Sequence, residues 1–304
     1  MPSAPDESSV RSPRCQNPRR HIGKLLFGQR SSAPHLKYAV RVLACRVHAW
    51  TDEDEARLAR IMRFLAHNSS VHDLLVDTRD QGSLGVVYYA DSDFGTEIPS
   101  RYSTSSYDVY IVGPHGTRAL VESASARQTS ASLSTPESEV DAIVRGARAA
   151  IGTQLLIEFL TQRPSARGCL SDAQSAILAV KKGHSAAMRH TRVTQGVSIS
   201  WAHRHVAGRD VGDAHPYTGR PVRIHKGRGS YTSSCILAKV PTGVNVSDVG
   251  TKPIPLATYR ACMRAQGLRA PATDGPTSAA HTAESIPEAE RELTQTLANA
   301  LAAS

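Results

Sequence analysis

Four short acidic segments lie far apart on this chain, and each holds a carboxylate suited to metal-dependent chemistry. They are residues 89–94 (YADSDF), 134–139 (STPESE), 171–176 (SDAQSA) and 245–253 (NVSDVGTKP). Carboxylate oxygens are the ligands that Mg²⁺ prefers in proteins. Two such ions, roughly 3.5 to 4 Å apart, can activate a water and neutralise the leaving oxygen when a phosphodiester is cleaved. If folding brings them together, the segments supply the carboxylates that a site for two Mg²⁺ or Mn²⁺ ions requires.

Three of these segments leave alternatives open when only their residues are considered. Asp91 and Asp93 are two residues apart, so both point to one side of a strand. Glu137 and Glu139 both flank the apolar stripe of the helix that they open, and periodicity alone does not choose between them. Glu137 also suits a helix N-terminus through its charge. Asp172, at the start of a helix, has the ordinary alternative role of a cap.

The order and surroundings of the four segments resemble the ribonuclease H part of a copia-type retrotransposon polyprotein. YADSDF is similar to the family's YSDADWAG, and the following RYSTSSYDVYIVG to RKSTSGYVFxLG. LSTPESEV is similar to LSSTEAEY, CLSDAQSAI to CDNQSAI, and NVSDVGTKPI to NIADIFTKPL. The last match is the most specific, and its identical positions are Asn245, Val246, Asp248, Thr251, Lys252 and Pro253.

The resemblance implies a set of site residues. The catalytic and metal-binding acids would be Asp91, Glu139, Asp172 and Asp248, with Asp93 and Glu137 as secondary candidates. In ribonucleases H a mobile histidine in the loop before the fourth acid helps the product to leave. Here His203 or His205 could take that place, or be an ordinary solvated loop residue. A basic run is predicted to hold phosphates of the nucleic acid or to form a solvated loop, and it comprises Arg220, Arg223, Lys226 and Arg228.

The activity implied by the resemblance is endonucleolytic hydrolysis of the RNA strand of an RNA/DNA hybrid. The alternative is a catalytically inactive or domesticated retroelement relic that binds nucleic acid or a partner without cleavage. A basic structural module, in which the carboxylates do not converge, is a third reading. The polymerase, protease and integrase motifs are absent, so the resemblance, over about residues 20–268, is to one end of a polyprotein, and other parts of that polyprotein are possible partners.

Composition is compatible with a polyanionic partner. The 304 residues carry 36 Lys plus Arg against 27 Asp plus Glu, a formal charge of +9. The five cysteines are scattered without the short spacing of zinc or redox sites, which favours reduced, structural thiols. The sequence holds neither an apolar run of membrane-spanning length nor a signal peptide. It therefore predicts a soluble, intracellular protein, in the cytoplasm or the nucleus, with no membrane partner.

The elements that must position the acids are predicted from apolar periodicity and turn residues. Their pattern predicts an α/β fold with a mixed sheet. The resemblance implies that this is a ribonuclease H-like mixed five-stranded sheet with flanking helices, preceded by a short helical connection segment. Predicted strands are 84–90, 107–112, 119–124, 168–171 and 197–201, with a four-residue hairpin turn at 113–116. Predicted helices are 135–160, 172–182, 186–195 and 256–268, together with two in the connection segment.

The predicted domain organisation has four parts. Residues 1–19 form a disordered lead-in and residues 20–75 the helical connection segment. Residues 76–268 form the ribonuclease H-like domain, with a loop insertion near 203–235 that is rich in His, Arg, Gly and Pro. Residues 269–304 are a mostly disordered tail with a candidate helix from Pro287 to Ala303.

Overall fold

A mixed five-stranded sheet with flanking helices lies at the centre of the protein, as the sequence predicts. The computed structural model describes residues 17–67, 71–72, 74–97, 101–194, 196–207, 235–269 and 286–302. The strands are β1 (Val71–His72), β2 (Gly85–Asp93), β3 (Thr104–Val112), β4 (Arg118–Arg127), β5 (Arg167–Ser171), β6 (Cys235–Lys239) and β7 (Leu268–Arg269). The central sheet has the order β4-β3-β2-β5-β6, while β1 and β7 form a separate antiparallel pair.

The strand directions decide where the acids can meet. β3 is antiparallel to both β2 and β4, whereas β5 is parallel to β2 and β6 is parallel to β5. The ends of β2, β5 and β6 that come last in the chain therefore share one edge of the sheet. Because β2 is the middle strand, its residues from Gly85 to Ser92 are all buried.

Helices cover both faces of this sheet. They are α1 (Pro18–Gly28), α2 (Lys37–Ala44), α3 (Asp52–His67), α4 (Thr135–Thr161), α5 (Gln174–Lys182), α6 (Thr191–Thr194), α7 (Ile199–Val206), α8 (Leu256–Ala265) and α9 (Glu288–Ala302). On one face α4, α5 and α7 pack on alternate strand residues such as Val86 and Tyr88, and on the other face α9 packs on Val87 and Tyr89. A third apolar cluster joins α1, α2 and α3.

Gly146 allows close packing between α4 and the sheet. A Cβ atom at this position would lie 2.7 Å from Cδ2 of Tyr88 on β2, so a larger residue would force the helix or the ring to shift. The absence of a side chain at Gly146 therefore lets α4 approach the central strand.

The hairpin prediction agrees with the structure in detail. The turn between β3 and β4 is closed by the backbone amide of Gly113, which donates to the carbonyl of Thr117 at 2.9 Å. Gly116 has a φ of +115°, a value that favours glycine. The strands extend beyond their predicted ends, and β2 continues through Asp91 to Asp93 instead of stopping before the acidic segment.

The predicted position of the fifth strand is wrong. Residues 197–201 do not form a strand: Ser198 accepts a hydrogen bond from the backbone amide of Trp201, and helix α7 begins at Ile199. Ile199, Ala202 and Val206 are the buried residues of this helix, at helical spacing. The fifth strand is instead β6, which begins at Cys235, where the predicted insertion ends. Helix α6 is also much shorter than the predicted 186–195.

The chain segments around the sheet also differ from the predicted boundaries. Helix α1 begins at Pro18, two residues before the predicted connection segment, with the Asn17 side chain accepting from the amide of Arg20. The candidate helix near the C-terminus is present as α9, and it belongs to the core: Leu293 and Leu297 are buried against the sheet. The apolar core on this face of the sheet therefore includes residues that follow position 268.

Within the described ranges, Cys45, Cys169, Cys235 and Cys262 form no disulfide. Among the helices described here, none combines the length and the apolar character needed to cross a membrane. The predicted basic run at Arg220, Arg223, Lys226 and Arg228 lies outside the described residues.

Candidate carboxylate site

The four acidic segments reach one edge of the central sheet. Asp91 lies near the end of β2, and Asp172 directly follows β5, the parallel neighbour of β2. Asp248 lies in a short 3-10 helix, Val246–Gly250, which packs on β2 and β3. Glu139 lies in the first turns of α4. The topology therefore brings together positions that are up to 157 residues apart, from 91 to 248.

Residues of the fourth segment connect it to the other segments. The Asn245 side-chain amide lies 3.3 Å from Asp172 Oδ1 and 3.4 Å from the carbonyl oxygen of Ala90. The Thr251 hydroxyl lies 2.6 Å from Asp91 Oδ2, to which it donates. These contacts hold the fourth segment against Asp172 and against the end of β2.

Glu139 is held at the site by the start of α4. The hydroxyls of Ser138 and Ser92 lie 2.8 Å apart, which ties this turn of the helix to the end of β2. The Glu139 residue is only 5% exposed, and its Oε2 atom is buried without a hydrogen-bond partner. A buried carboxylate oxygen without a partner is costly, and it is the kind of atom that a cation would satisfy.

The charges of the four acids act on one another. Burial raises the pKa of Asp91 well above its usual value, and the charges of Glu139, Asp248 and Asp172 raise it further. Burial also raises the pKa of Glu139 to about 8, with the charge of Asp172 as the next cause. Shifts of this kind, from burial together with like charges, are typical of functional carboxylates.

A lysine also belongs to this cluster. Lys252 Nζ lies 2.8 Å from Asp248 Oδ1. Burial opposes the charge of Lys252, but the hydrogen bond to Asp248 and the charges of Asp91, Asp248 and Asp93 outweigh it, so the pKa of Lys252 is raised. Its positive charge also lowers the pKa of Glu139, against the upward effect of burial. The ammonium therefore interacts with several of the acids at once.

The secondary acidic candidates have different surroundings. Asp93, the last residue of β2, is partly buried and contributes to the field at Lys252. Glu137 is almost fully buried, and its Oε2 accepts a hydrogen bond of 2.9 Å from the amide of Leu133, while its Oε1 lies 3.1 Å from His190 Nε2. Glu137 thus contacts the chain leading into α4, in keeping with a role at the helix N-terminus.

The alternative role of Asp172 as a helix cap is not seen. Helix α5 begins at Gln174, its cap residue is Ala173, and no side chain caps its first turn by a hydrogen bond. The Asp172 carboxylate instead accepts from Asn245.

The two histidine candidates lie on α7 and not in a loop before Asp248. His203 Nδ1 lies 3.0 Å from the carbonyl oxygen of Val180, and His205 stacks on Trp201 with 4.6 Å between ring centroids. Both contacts belong to the packing of α7. The Ser198 side chain caps this helix at a point where the sequence predicts a strand followed by a loop. The structure therefore gives neither residue the position that the resemblance implies.

One buried ion pair near the site has no signal in the four segments. Lys37, on α2, is fully buried and lies 2.5 Å from Asp108 Oδ2 on β3. The same Asp108 oxygen accepts from the Ser247 hydroxyl at 2.8 Å, next to Asp248. Lys37 stands in an ordinary amphipathic pattern, so the sequence gives no reason to assign it to the site.

The donor set fits a hard divalent cation. It consists of carboxylate oxygens, one of which, Glu139 Oε2, is buried and unpartnered. In the described part of the chain, no three His, Cys, Asp or Glu side chains are already grouped as ligands of a metal ion. Ions held here by Asp91, Glu139, Asp172 and Asp248 would therefore require their side chains to adjust.

Comparisons with known proteins do not identify the function of this chain. No protein-family model matches the chain, and no curated protein matches it. Among solved structures, the chain is similar to an RNase H1 from the halophilic archaeon Halobacterium salinarum NRC-1, at 12% identity and a TM-score of 0.30, over 53% of this chain and 89% of that one. Function is therefore inferred from the residues of the chain itself.

Proposed function

We propose that this chain is a retrotransposon-derived ribonuclease H that hydrolyses the RNA strand of RNA/DNA hybrids, with divalent cations held by Asp91, Glu139, Asp172 and Asp248. The observation that carries the proposal is the position of Asp91, which is buried at the sheet edge, bound by Thr251 of the fourth segment, and on the strand parallel to the one that Asp172 follows. Burial raises the pKa of Asp91, and the charges of Glu139, Asp248 and Asp172 raise it further. Buried carboxylates that raise one another's pKa in this way repel one another, and their charged forms are unfavourable without a cation. The copia-type resemblance supplies the substrate class.

The residues around the acids support this role. When bound, Mg²⁺ would supply activation of the attacking water and neutralisation of the leaving oxygen. Thr251 holds one oxygen of Asp91, and Asn245 holds one oxygen of Asp172, so each carboxylate keeps its second oxygen for another partner. Contacts of this type fix the direction of metal-binding carboxylates.

The test is cleavage of a labelled RNA/DNA hybrid by the purified full chain with Mg²⁺. Duplex DNA and duplex RNA of the same sequence serve as substrate controls, and EDTA as the metal control. We expect cleavage of the hybrid alone, and its loss in Asp172→Asn, a variant that keeps the shape of the side chain. Full activity in Asp172→Asn would remove this residue from the site.

A second candidate function is binding of nucleic acid without cleavage, by a relic of such an enzyme. The observation that favours it is the Lys252 ammonium, which already neutralises part of the cluster. In the same assay this candidate predicts that the hybrid is retained in a gel shift with Mg²⁺ but remains intact. Cleavage by the wild type that is lost in Asp172→Asn would exclude it.

A further inference from the structure

We infer that Lys252 is a built-in counter-ion of the carboxylate cluster, one that competes with divalent cations and becomes available to a substrate phosphate when they bind. The inference rests on the proposed function and deepens it. It assigns to Lys252 a positioning role that neither the four acids nor their order along the chain implies.

The first step is the location of the ammonium. Lys252 Nζ lies 2.8 Å from Asp248 Oδ1, and the Asp248 side chain is only 6% exposed. Asp91, Asp93 and Glu139 lie within electrostatic range of the same ammonium. A single positive charge thus pairs with the carboxylate of the 3-10 helix and also acts through its field on carboxylates of β2 and α4. Its charge therefore stabilises the carboxylates as the charge of a bound cation would.

The second step is how the backbone of Lys252 is held. The preceding residue, Thr251, donates through its hydroxyl to Asp91, and its amide donates to the carbonyl of Asp248 at 3.2 Å. Pro253 follows and restricts the chain further. The backbone of Lys252 is therefore fixed, while its long side chain can still change direction.

The third step is access. The Lys252 side chain is 38% exposed, so its ammonium lies at the rim of the cluster and not beneath it. A divalent cation among the carboxylates would repel this ammonium. The side chain can then turn toward solvent without unfolding anything, and there a backbone phosphate is the anion that the proposed substrate offers. Lysine suits this task because its ammonium is a mobile point charge.

The test compares Mg²⁺ affinity, by calorimetric titration without substrate, in the wild type and in Lys252→Met. Removing the positive charge should tighten Mg²⁺ binding by about tenfold or more, because a unit charge close to a divalent ion repels it even in a watery environment. Lys252→Arg should stay within about threefold of the wild type. Lys182→Met, at the exposed end of α5, is the matched control and should change nothing.

A second measurement examines the phosphate role. With Ca²⁺ in place of Mg²⁺, to bind hybrid without turnover, Lys252→Met should bind the hybrid several-fold more weakly than Lys182→Met, with a shallower salt dependence. Equal hybrid affinity of these two variants would overturn the phosphate role.

The outcomes separate this inference from the function on which it rests. Equal Mg²⁺ affinity in the wild type and Lys252→Met overturns the counter-ion role but does not contradict the proposed nuclease activity. Absence of Mg²⁺ binding in both proteins overturns both proposals. Tighter Mg²⁺ binding in Lys252→Met together with an uncleaved hybrid in the wild type supports the counter-ion role and contradicts the nuclease.

Discussion

The ammonium of Lys37 and the carboxylate of Asp108 form an ion pair of 2.5 Å with no solvent exposure on either side chain. Lys37 opens α2, in the helical segment that precedes the sheet, and Asp108 lies in the middle of β3. Ser247 and Gln266 also reach Asp108, at 2.8 and 3.5 Å. The pair therefore joins the N-terminal helices, the sheet and the 3-10 helix that carries Asp248.

This relationship predicts a large loss of stability in Lys37→Met. Removing one partner leaves Asp108 buried and charged without its cation, which typically costs about 3 to 5 kcal/mol. We expect the free energy of unfolding in urea to fall by that amount. The double variant Lys37→Met with Asp108→Asn should regain part of it, because Asn removes the orphaned charge and still accepts from Ser247. No recovery in the double variant would contradict the ion-pair explanation.

Helix α9 gives a second stability prediction. Leu297 is 1% exposed, and Glu290 of the same helix pairs with Arg118 and accepts from the hydroxyl of Tyr89. Leu297→Ala should lower the free energy of unfolding by about 2 to 5 kcal/mol, the usual cost of a cavity in a core. The control is Leu256→Ala, since Leu256 is 61% exposed, and it should change stability by less than about 0.5 kcal/mol. Equal effects of the two variants would show that α9 does not form part of the core in solution.

The carboxylate cluster predicts an unusual pH dependence for the metal-free protein. The pKa of Glu139 is raised to about 8, chiefly by burial, whereas an unfolded Glu titrates near about 4.3. The folded state thus binds this proton more tightly, so stability is greatest below the unfolded pKa and falls as the pH rises from about 4.3 toward about 8. The raised pKa of Asp91 acts in the same direction.

The measurement is urea unfolding in EDTA at several pH values in this window. We expect a decrease of up to about 1.4 kcal/mol per pH unit from Glu139, and a smaller slope in Glu139→Gln, which keeps the size of the side chain without its titration. Mg²⁺ in excess should flatten the slope of the wild type, because a cation favours the charged carboxylates. A slope that is the same in Glu139→Gln would contradict the assignment to this residue.

The sequence predicts much of the fold because its signals are local. The run of Tyr and aliphatic residues in β2, the Gly and Pro residues between β3 and β4, and the apolar stripe of α4 each determine their own element. The prediction of the fifth strand is wrong for the same reason. Val197 and Ile199 have high strand propensity, but the side chain of Ser198 caps a helix at this point, while the five residues of β6 carry little signal of their own.

The site is only partly predictable because its contacts are not local. The four acids are recognisable from the segments that contain them, and their common edge follows from parallel β2 and β5. Lys252 and Asp248 are only four residues apart, but the contribution of Lys37 depends on Asp108, which lies 71 residues away in the chain. No periodicity in the chain encodes such a pairing, so only the three-dimensional structure reveals it.

Thr251 offers the sharpest test of how the site is held. Its hydroxyl donates to Asp91 Oδ2 at 2.6 Å, and both residues are buried. Thr251→Val keeps the shape and removes the hydroxyl, so Asp91 loses its donor and its fixed direction. Hybrid cleavage at saturating Mg²⁺ should fall by about ten- to a hundredfold, as is usual when a residue that orients a metal ligand is replaced.

Thr251→Ser is the matched control, because it keeps the hydroxyl and loses only a methyl group. Its cleavage rate should stay within a few-fold of the wild type, and thermal unfolding of both variants should show that the fold is intact. Equal cleavage by Thr251→Val and Thr251→Ser would mean that Asp91 needs no donor, and that the hydroxyl serves only the packing of the 3-10 helix against β2.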